Sequence, residues 1–408
     1  MQVQSSSRKN TLALLSLAIS AFAIGTTEFI SVGLLPMISG DLDIPVTMAG
    51  LTVTLYALGV MFGAPVLTSL TSSIPRKTLL IAIMLVFIAG NSLAAFSTGF
   101  GMLLAARVLS ALAHGVFMSI GSTIAADLVP EDRRASAIAA MFTGLTVATV
   151  TGVPLGTFIG QQLGWRSAFI GIVLIGIIAL AAAWVLVPAQ GLRQGERTPL
   201  KEQVKLLTSG RLVLAFLITA LGYGGTFVVF TYLSPLLHEI TGFKESAAAL
   251  ILLLYGIAIA IGNLIGGKAA NRRPLPALLA MFAVQAVILL VMMAALPHKI
   301  AGLIAVFAMG LFAFMNVPGL QLHVVQLAER YAPKAVDVAS AVNIAAFNGG
   351  IALGAWLGGM VTDHMGLIHT TWMGAIMVAS AVVLTAWSLL LEKKSSKVEA
   401  MAAERQTV

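Results

Sequence analysis

No cysteine occurs in the 408 residues. Disulfides, thiolate metal centres and cysteine nucleophiles are therefore excluded. Charge is the second scarcity: Asp, Glu, Lys and Arg make up 10% of the chain, against roughly 25% in a soluble domain. No polar stretch is long enough to form a separate soluble domain. Catalytic signatures are also missing, with neither a His-Glu-x-x-His pair nor a nucleophile elbow. One phosphate-loop lookalike, Gly262-Asn-Leu-Ile-Gly-Gly267-Lys268, has Ala269 where a magnesium-binding Ser or Thr is required, and it ends an apolar helix instead of following a strand. ATP-driven pumping and intramembrane enzymology therefore lack support, and no cofactor or metal is called for.

What fills the chain is hydrophobic residue, 59% of the total, in runs of transmembrane length from end to end. A helix needs about 20 apolar residues to cross a bilayer, whereas a transmembrane barrel would show shorter alternating segments. The fold class is an all-α polytopic membrane protein with twelve transmembrane helices in two six-helix repeats. The predicted crossings are 11–38, 47–70, 77–97, 100–127, 134–162, 165–187, 211–237, 246–268, 274–296, 299–328, 335–363 and 368–391. The expected units are an N-terminal half (1–187), a linker (188–210), a C-terminal half (211–391) and a tail (392–408). A short amphipathic helix is expected within the linker, from Pro199 to Leu207.

The net charge of +8 reflects topology, not nucleic-acid binding. Arg8 and Lys9, Arg76 and Lys77, Arg133 and Arg134, the linker, Lys268 to Arg273, Arg330 and Lys334, and the tail all fall in alternate loops. The intervening loops hold only Arg166, Lys244 and Lys299. Under the positive-inside rule this puts both termini in the cytoplasm, with an even number of crossings. Ala21-Phe22-Ala23 imitates a signal cleavage site, but the apolar run continues to Pro36, too long for a signal peptide core. An uncleaved first helix is expected.

The halves repeat. Shifted by 199 residues, Gly25 meets Gly224, Thr27 meets Thr226, Pro36 meets Pro235, Tyr56 meets Tyr255 and Gly63 meets Gly262. Shifted by 202, Gly152 meets Gly354, Gly156 meets Gly358 and Gly164 meets Gly366. The chain has only five tyrosines, so a tyrosine match in register with proline and glycine matches carries weight. Repeats of this kind, with a site between them near the midplane, are a transporter architecture. Glycines at every fourth position recur on predicted helices 2, 5, 8 and 11: Gly59 and Gly63; Gly152, Gly156 and Gly160; Gly262 and Gly266; Gly354 and Gly358. Together with Pro154 they are expected to form the seam between the halves, since small residues allow close backbone approach.

The chain is organised around Glu28, an acid inside the apolar stretch Leu12–Pro36. A carboxylate at the centre of a membrane helix costs roughly 2.5–3.5 kcal/mol on insertion scales, so it marks a partner or a wet cavity. Arg107 is comparably deep on the fourth segment. Glu28 lies about 12 Å below Pro36 and Arg107 about 9 Å below Gly101, counted at 1.5 Å per residue. A contact is therefore geometrically open. Two readings of the pair stand: a fixed ion pair that orients two helices, or a site whose proton occupancy follows the conformation. His114, two turns from Arg107 on the same face, joins them as a candidate proton-coupling residue. The candidate substrate-binding residues are Thr27, Phe117, Tyr223, Asn316, Gln321 and Asn343, with Asn348 as further polar lining. Asp127, Asp363 and His364 lie near helix ends and are expected to be solvated.

Several stretches carry a family resemblance. They are Gly25-Thr-Thr-Glu28-Phe with Gly33-Leu-Leu-Pro36, Arg107-Val-Leu-Ser-Ala-Leu-Ala-His114-Gly115, Pro130-Glu-Asp-Arg-Arg-Ala135, Gly152-Val-Pro154-Leu-Gly156, and Gly164-Trp165-Arg166 with Phe169. Over essentially all twelve helices the chain resembles the major facilitator superfamily. More narrowly it is similar to the drug:proton antiporter family and its bacterial sugar-efflux (arabinose exporter-like) and chloramphenicol-resistance branch. The resemblance implies a cavity lined by helices 1, 4, 7 and 10, a seam of helices 2, 5, 8 and 11, a proton-exchange role for Arg107, and a monomer in the bilayer. It departs at loop 2–3. Arg76-Lys77 ends the superfamily pattern correctly, but Thr68, Ser72, Ser73 and Pro75 stand at its earlier positions; the second copy has Gly267, Asn271 and Arg272 but no aspartate. The usual charge lock on the cytoplasmic side is thus not evident. The expected function is proton-coupled export of small organic molecules such as sugars or drugs, driven by the proton gradient. A symporter or facilitator for sugars or nucleosides is the alternative, and a non-transporting membrane sensor a distant one.

Overall fold

The computed structural model describes residues 2–44, 46–189 and 200–406. Some side chains inside its helices, Pro36 and Pro154 among them, and the linker stretch 190–199 lie outside the described residues. Twelve helical spans among the described residues are long and apolar enough to cross a membrane. The first six helices are α1 (Gln2–Asp41), α2 (Leu51–Leu70), α3 (Arg76–Ala95), α4 (Phe100–Asp127), α5 (Arg134–Leu163) and α6 (Trp165–Leu186). The second six are α7 (Gly210–Phe230), α8 (Glu245–Ala270), α9 (Pro274–Ala295), α10 in two pieces (Lys299–Ala313 and Val317–Tyr331), α11 (Val336–Met365) and α12 (Thr370–Gln406). Large apolar side chains such as Phe62, Phe158, Trp184 and Ile304 are exposed on the outside, where hydrocarbon, not water, is their solvent.

Two details differ from the sequence expectation. The seventh helix stops at Phe230, not 237, and turns at Thr231 and Tyr232. The tenth is broken at Phe314–Asn316. Pro318 causes the break: it has no N–H for the Phe314 carbonyl four residues earlier. That carbonyl instead accepts from the Val317 N–H at 3.2 Å in a tighter turn. The linker helix forms at Leu200–Thr208. Its Leu206 is buried in a cluster with Leu212, Val324, Val336 and Ala339.

The glycine stripes pair helices inside each half rather than across the seam. A Cβ on Gly59 would meet Ala111, and on Gly63 Leu112, so α2 lies on α4. Gly156 and Gly160 lie on Ile30 and Leu34 of α1. The second half repeats the arrangement: Gly262 and Gly266 receive the Leu311 and Met315 carbonyls of α10, while Gly354 and Gly358 lie on Gly224 and Val228 of α7. Even the register is shared. Gly25 sits against Ala148, and its repeat mate Gly224 sits against Gly350, the mate of Ala148. The physical reason is the same for all: only a residue without Cβ lets a neighbouring backbone come this close. The seam between halves uses other small positions, with Gly256 against Val150 and Gly267 against Ala139. Gly262→Val therefore drives a side chain into the Leu311 carbonyl, and overpacking of this kind costs about 1–3 kcal/mol. Its thermal midpoint in detergent should fall, while Gly99→Ala, where a Cβ meets nothing within 4 Å, should leave it unchanged.

At the end opposite the basic loops, Asp41 closes α1 onto the start of α6. Its Oδ2 accepts from Arg166 Nη1 at 2.6 Å and from the Trp165 indole at 3.1 Å, and Arg166 also donates to the Ser97 carbonyl. The Arg166 bond first, and the Trp165 bond second, hold the Asp41 carboxyl below its ordinary range. A lowered native pKa gives stability that is complete above the unfolded-state value and lost as pH falls through the native one. The pair is half exposed, so its worth is at most about 1 kcal/mol. Asp41→Asn should lower the thermal midpoint slightly at pH 7, and the gap to wild type should close as the pH is taken below about 4.

Candidate functional site

A cavity of about 150 Å³ lies between the two halves. Glu28 of α1 and His114 of α4 bring polar groups to it from the first half, with Phe142, Leu145 and Thr149 of α5. From the second half come Tyr223, Phe227 and Phe230 of α7, Phe314 and Val317 at the break in α10, and Ile344, Phe347 and Asn348 of α11. Helices 1, 4, 7 and 10 thus share the wall with α5 and α11. The break in α10 is what turns Phe314 and Val317 to the same space.

Glu28 and Arg107 are neighbours, but they do not form an ion pair among the described contacts. Arg107 is 1% exposed and is held by backbone. Its Nη1 donates to the Thr27 carbonyl at 2.8 Å and its Nε to the Thr52 carbonyl at 3.2 Å. Its guanidinium stacks 4.1 Å from the centroid of the Tyr56 ring, and Nη2 has no partner among the described residues. So Arg107 ties α1 and α2 to α4 from behind the cavity wall. Glu28 is on the wall itself, partly exposed to the cavity. Among the described residues its carboxylate has neither a hydrogen bond nor an ion pair.

Tyr56 links Arg107 to His114: its hydroxyl lies 3.0 Å from His114 Nδ1. An arginine cation over the ring draws electron density from it and makes the hydroxyl the better donor. With Nδ1 accepting, the neutral imidazole carries its proton on Nε2. Tyr56→Phe leaves a buried imidazole nitrogen unpaired, at a cost of about 1–3 kcal/mol. The expected result is a lower thermal midpoint with the cavity otherwise intact.

The other residues singled out by sequence are distributed as follows. Tyr223 is on the cavity wall, its ring edge-on to Phe314 and Phe347 at 5.3 and 4.9 Å. Thr27 instead faces α3, donating to Asn91 Oδ1 at 3.1 Å; its repeat mate Thr226 accepts from Gln285 of α9. Phe117 is fully buried away from the wall. Asn316 is buried at the α10 break, with Nδ2 3.5 Å from the Ala313 carbonyl. Gln321 and Asn343 bond to each other at 2.8 Å, Gln321 donates to Ser340 at 2.5 Å, and Asn343 accepts from Thr219 at 2.7 Å. Gln321 and Asn343 thus satisfy one another and their neighbours, which removes them from the cavity, while the Asn316 Oδ1 is buried with no partner among the described residues. Asn348 does line the cavity. The aromatic wall of Phe227, Phe230, Phe314 and Phe347 had no sequence signal beyond hydrophobicity.

The basic end is closed by a buried cluster that the sequence did not disclose. Arg76 of α3 donates to Asp127 of α4 at 3.0 Å and bidentately to Asp337 of α11, at 2.6 and 3.0 Å. The side chains of Arg76, Asp127 and Asp337 are 4%, 8% and 15% exposed. Thr123 donates to Asp337 Oδ1 and Ser119 to the Asp337 carbonyl. Asp127 is thus paired, not solvated as its position near a helix end implied, while Asp363 and His364 are exposed. Around this cluster, Arg134 pairs with Glu329 at 3.2 Å, Asn271 bonds Ser136 through both amide atoms, and Asn263 donates to the Ala139 carbonyl. The charge lock missing from the loop 2–3 pattern is therefore present in another form, built from Arg76 with acids on α4 and α11. Among the described residues, every hydrogen bond and ion pair between the halves falls within roughly 14 Å of the basic ends of their helices, at 1.5 Å per residue.

Two six-helix repeats, locked together at one end around a central cavity, are the architecture of a membrane transporter. The family model described as Major Facilitator Superfamily matches residues 17–332, and the chain belongs to that superfamily. It is 68% identical over 390 residues to the uncharacterized MFS-type transporter YtbD of Bacillus subtilis (strain 168), covering 96% of this chain and 98% of that one. It is 34% identical over 381 residues to the chloramphenicol resistance protein of Streptomyces lividans, covering 91% and 95%. Among solved structures, the human organic anion transporter MFSD10 matches with a TM-score of 0.75 at 15% identity, over 93% of this chain and 99% of that one. At that identity the likeness is one of fold alone.

Proposed function

We propose that this protein exports small organic molecules from a bacterial cytoplasm across the inner membrane in exchange for protons, by alternating access. The observation that carries the reading is Glu28: a carboxylate on the cavity wall with no hydrogen-bond partner among the described residues. Such a group binds a proton or a substrate in turn. Arg107, anchored on the Thr27 and Thr52 carbonyls, keeps a positive charge nearby without neutralising it by direct contact. His114, held by Tyr56, is the second titratable side chain on the wall. The positive-inside rule supports a cytoplasmic side for the Arg76 cluster, and on that reading the conformer described has its cytoplasmic gate shut. The chloramphenicol-resistance relative supports the outward direction.

The test is transport in proteoliposomes under an imposed pH gradient, with efflux candidates loaded on either side. Substrate movement against its own gradient, in the direction opposite to the proton gradient, is expected. Movement with the protons, or no response to the gradient, contradicts the antiport reading.

A further inference from the structure

We propose that a second, separate groove, between the starts of α8 and α10, is a lipid site. It takes one acyl chain of an outer-leaflet glycerophospholipid, whose phosphate is held by Lys244 and Lys299. The groove has a volume of about 280 Å³, nearly twice that of an apolar cavity of roughly 150 Å³ that holds one benzene. Its floor is Ile251 and Tyr255 of α8 with Val306 of α10, all buried. Its rim is Leu254, Ile304 and Phe307, all exposed on the outside of the molecule. The solvent on that outside is hydrocarbon, so the groove opens to lipid.

The packing of the two helices leaves this space. At Gly262 and Gly266, α8 receives the Leu311 and Met315 carbonyls of α10 and the backbones touch. Nearer the start of each helix the facing residues are large and hold the helices apart. Counted from Glu245 and Lys299 at 1.5 Å per residue, the lining lies roughly 6–15 Å below the helix starts. That is the half of the roughly 30 Å hydrocarbon core opposite the basic loops. Water finds too few partners there, because Tyr255 is the one polar residue of the lining. An empty groove would forfeit dispersion contacts along its whole floor. An acyl chain supplies them.

Charge at the mouth selects a phospholipid. Lys244 caps the start of α8 and Lys299 opens α10. The Lys299 ammonium lies 5.9 Å from the centroid of the Phe243 ring, so the two lysines stand at one mouth. Both are exposed, and neither forms an ion pair among the described residues; the Glu245 side chain lies outside those residues. The third basic residue of the loops on this side, Arg166, is paired with Asp41. The positive-inside rule keeps lysine scarce on this side, and two of them above an apolar groove match the phosphate and chain of one lipid. The site also touches the central cavity. Tyr255 stacks on Phe230 of the cavity wall, with centroids 5.3 Å and planes 18° apart. The bound chain therefore backs a ring pair that separates cavity from bilayer.

The experiment is native mass spectrometry of the purified full chain in detergent, titrated with dioleoyl phosphatidylglycerol and with dioleoylglycerol, which has the same chains and no phosphate. Wild type should retain one phospholipid about tenfold or more tightly than the diacylglycerol, the order expected where two lysines meet an anionic headgroup. Leu303→Trp, which fills the groove, should lose that lipid. Ile177→Trp, at an exposed position of α6, should keep it. Replacing both lysines, Lys244→Gln with Lys299→Gln, should reduce phospholipid binding to the level of the diacylglycerol. Both are surface positions, so that variant decides the matter even where the tryptophan variant fails to fold. Equal binding of the two lipids by wild type overturns the proposal. So does retention of the lipid by a folded Leu303→Trp, or an unchanged preference in the double lysine variant.

Discussion

Arg76→Met should unlock the basic end of the molecule. The substitution keeps the length and removes the charge, so the carboxylates of Asp127 and Asp337, both bonded to Arg76 now, are left facing each other in a buried site. Removing one partner of a buried ion pair costs about 3–5 kcal/mol, and here the share carried by Asp337 falls on the closed conformer alone, because Asp337 belongs to the opposite half while Asp127 shares a half with Arg76. A two-state equilibrium shifted by that amount changes its ratio by a factor of about 10² to 10³ or more. The absence of native cysteine makes the measurement clean. Spin labels at Asp132→Cys and Arg272→Cys, both on exposed loop positions of different halves, report the separation by pulsed dipolar spectroscopy. Wild type should give one short distance and Arg76→Met a dominant longer one. Asp337→Asn, which keeps Arg76 paired to Asp127, should give a mixture. An unchanged distance in Arg76→Met would mean the cluster is ornament to the gate.

The second large effect concerns Glu28. Glu28→Gln keeps the shape of the side chain and removes the exchangeable proton. The Arg107 bonds run to backbone carbonyls, so the substitution breaks no ion pair seen in the structure and the protein should fold with an unaltered thermal midpoint. Uphill export driven by a pH gradient should fall to background. Exchange of substrate for substrate across the membrane, which needs no net proton movement, should persist. That split separates a coupling residue from a structural one: a structural acid would reduce both rates together with the midpoint.

Much of the fold was legible from the chain. The twelve spans and the six-helix repeat follow from runs of apolar residues and from matches such as Tyr56 with Tyr255 and Gly25 with Gly224, the glycines recurring in space as equivalent packing positions. The glycine stripes were legible as close-approach surfaces but not as to their partner. A stripe specifies that a backbone comes near; it carries no information about which one, and each turned out to serve its own half. Glu28 announced itself because a lone acid is costly in an apolar run. Asp337 did not, since at the first turn of a helix beside a loop an aspartate is unremarkable. Its importance comes from Arg76, 261 residues away in sequence. The amides were misleading for a related reason. Gln321 and Asn343 sit on the cavity helices, yet a buried amide bonds to whatever donor and acceptor lie nearest, and here those are Ser340, Thr219 and one another; Asn316 reaches only the Ala313 carbonyl. The aromatic wall was hidden because phenylalanine in a membrane helix looks the same whether it faces lipid or cavity.

The central claim is that the cavity exchanges a proton on Glu28 for substrate. It is tested most directly by following the pH of a weakly buffered solution of purified protein as a panel of amines, sugars, nucleosides and amphenicol-type drugs is added, wild type beside Glu28→Gln. The account predicts proton release from wild type with at least one compound, and none from Glu28→Gln with the same compound. Equal release from both proteins would contradict it.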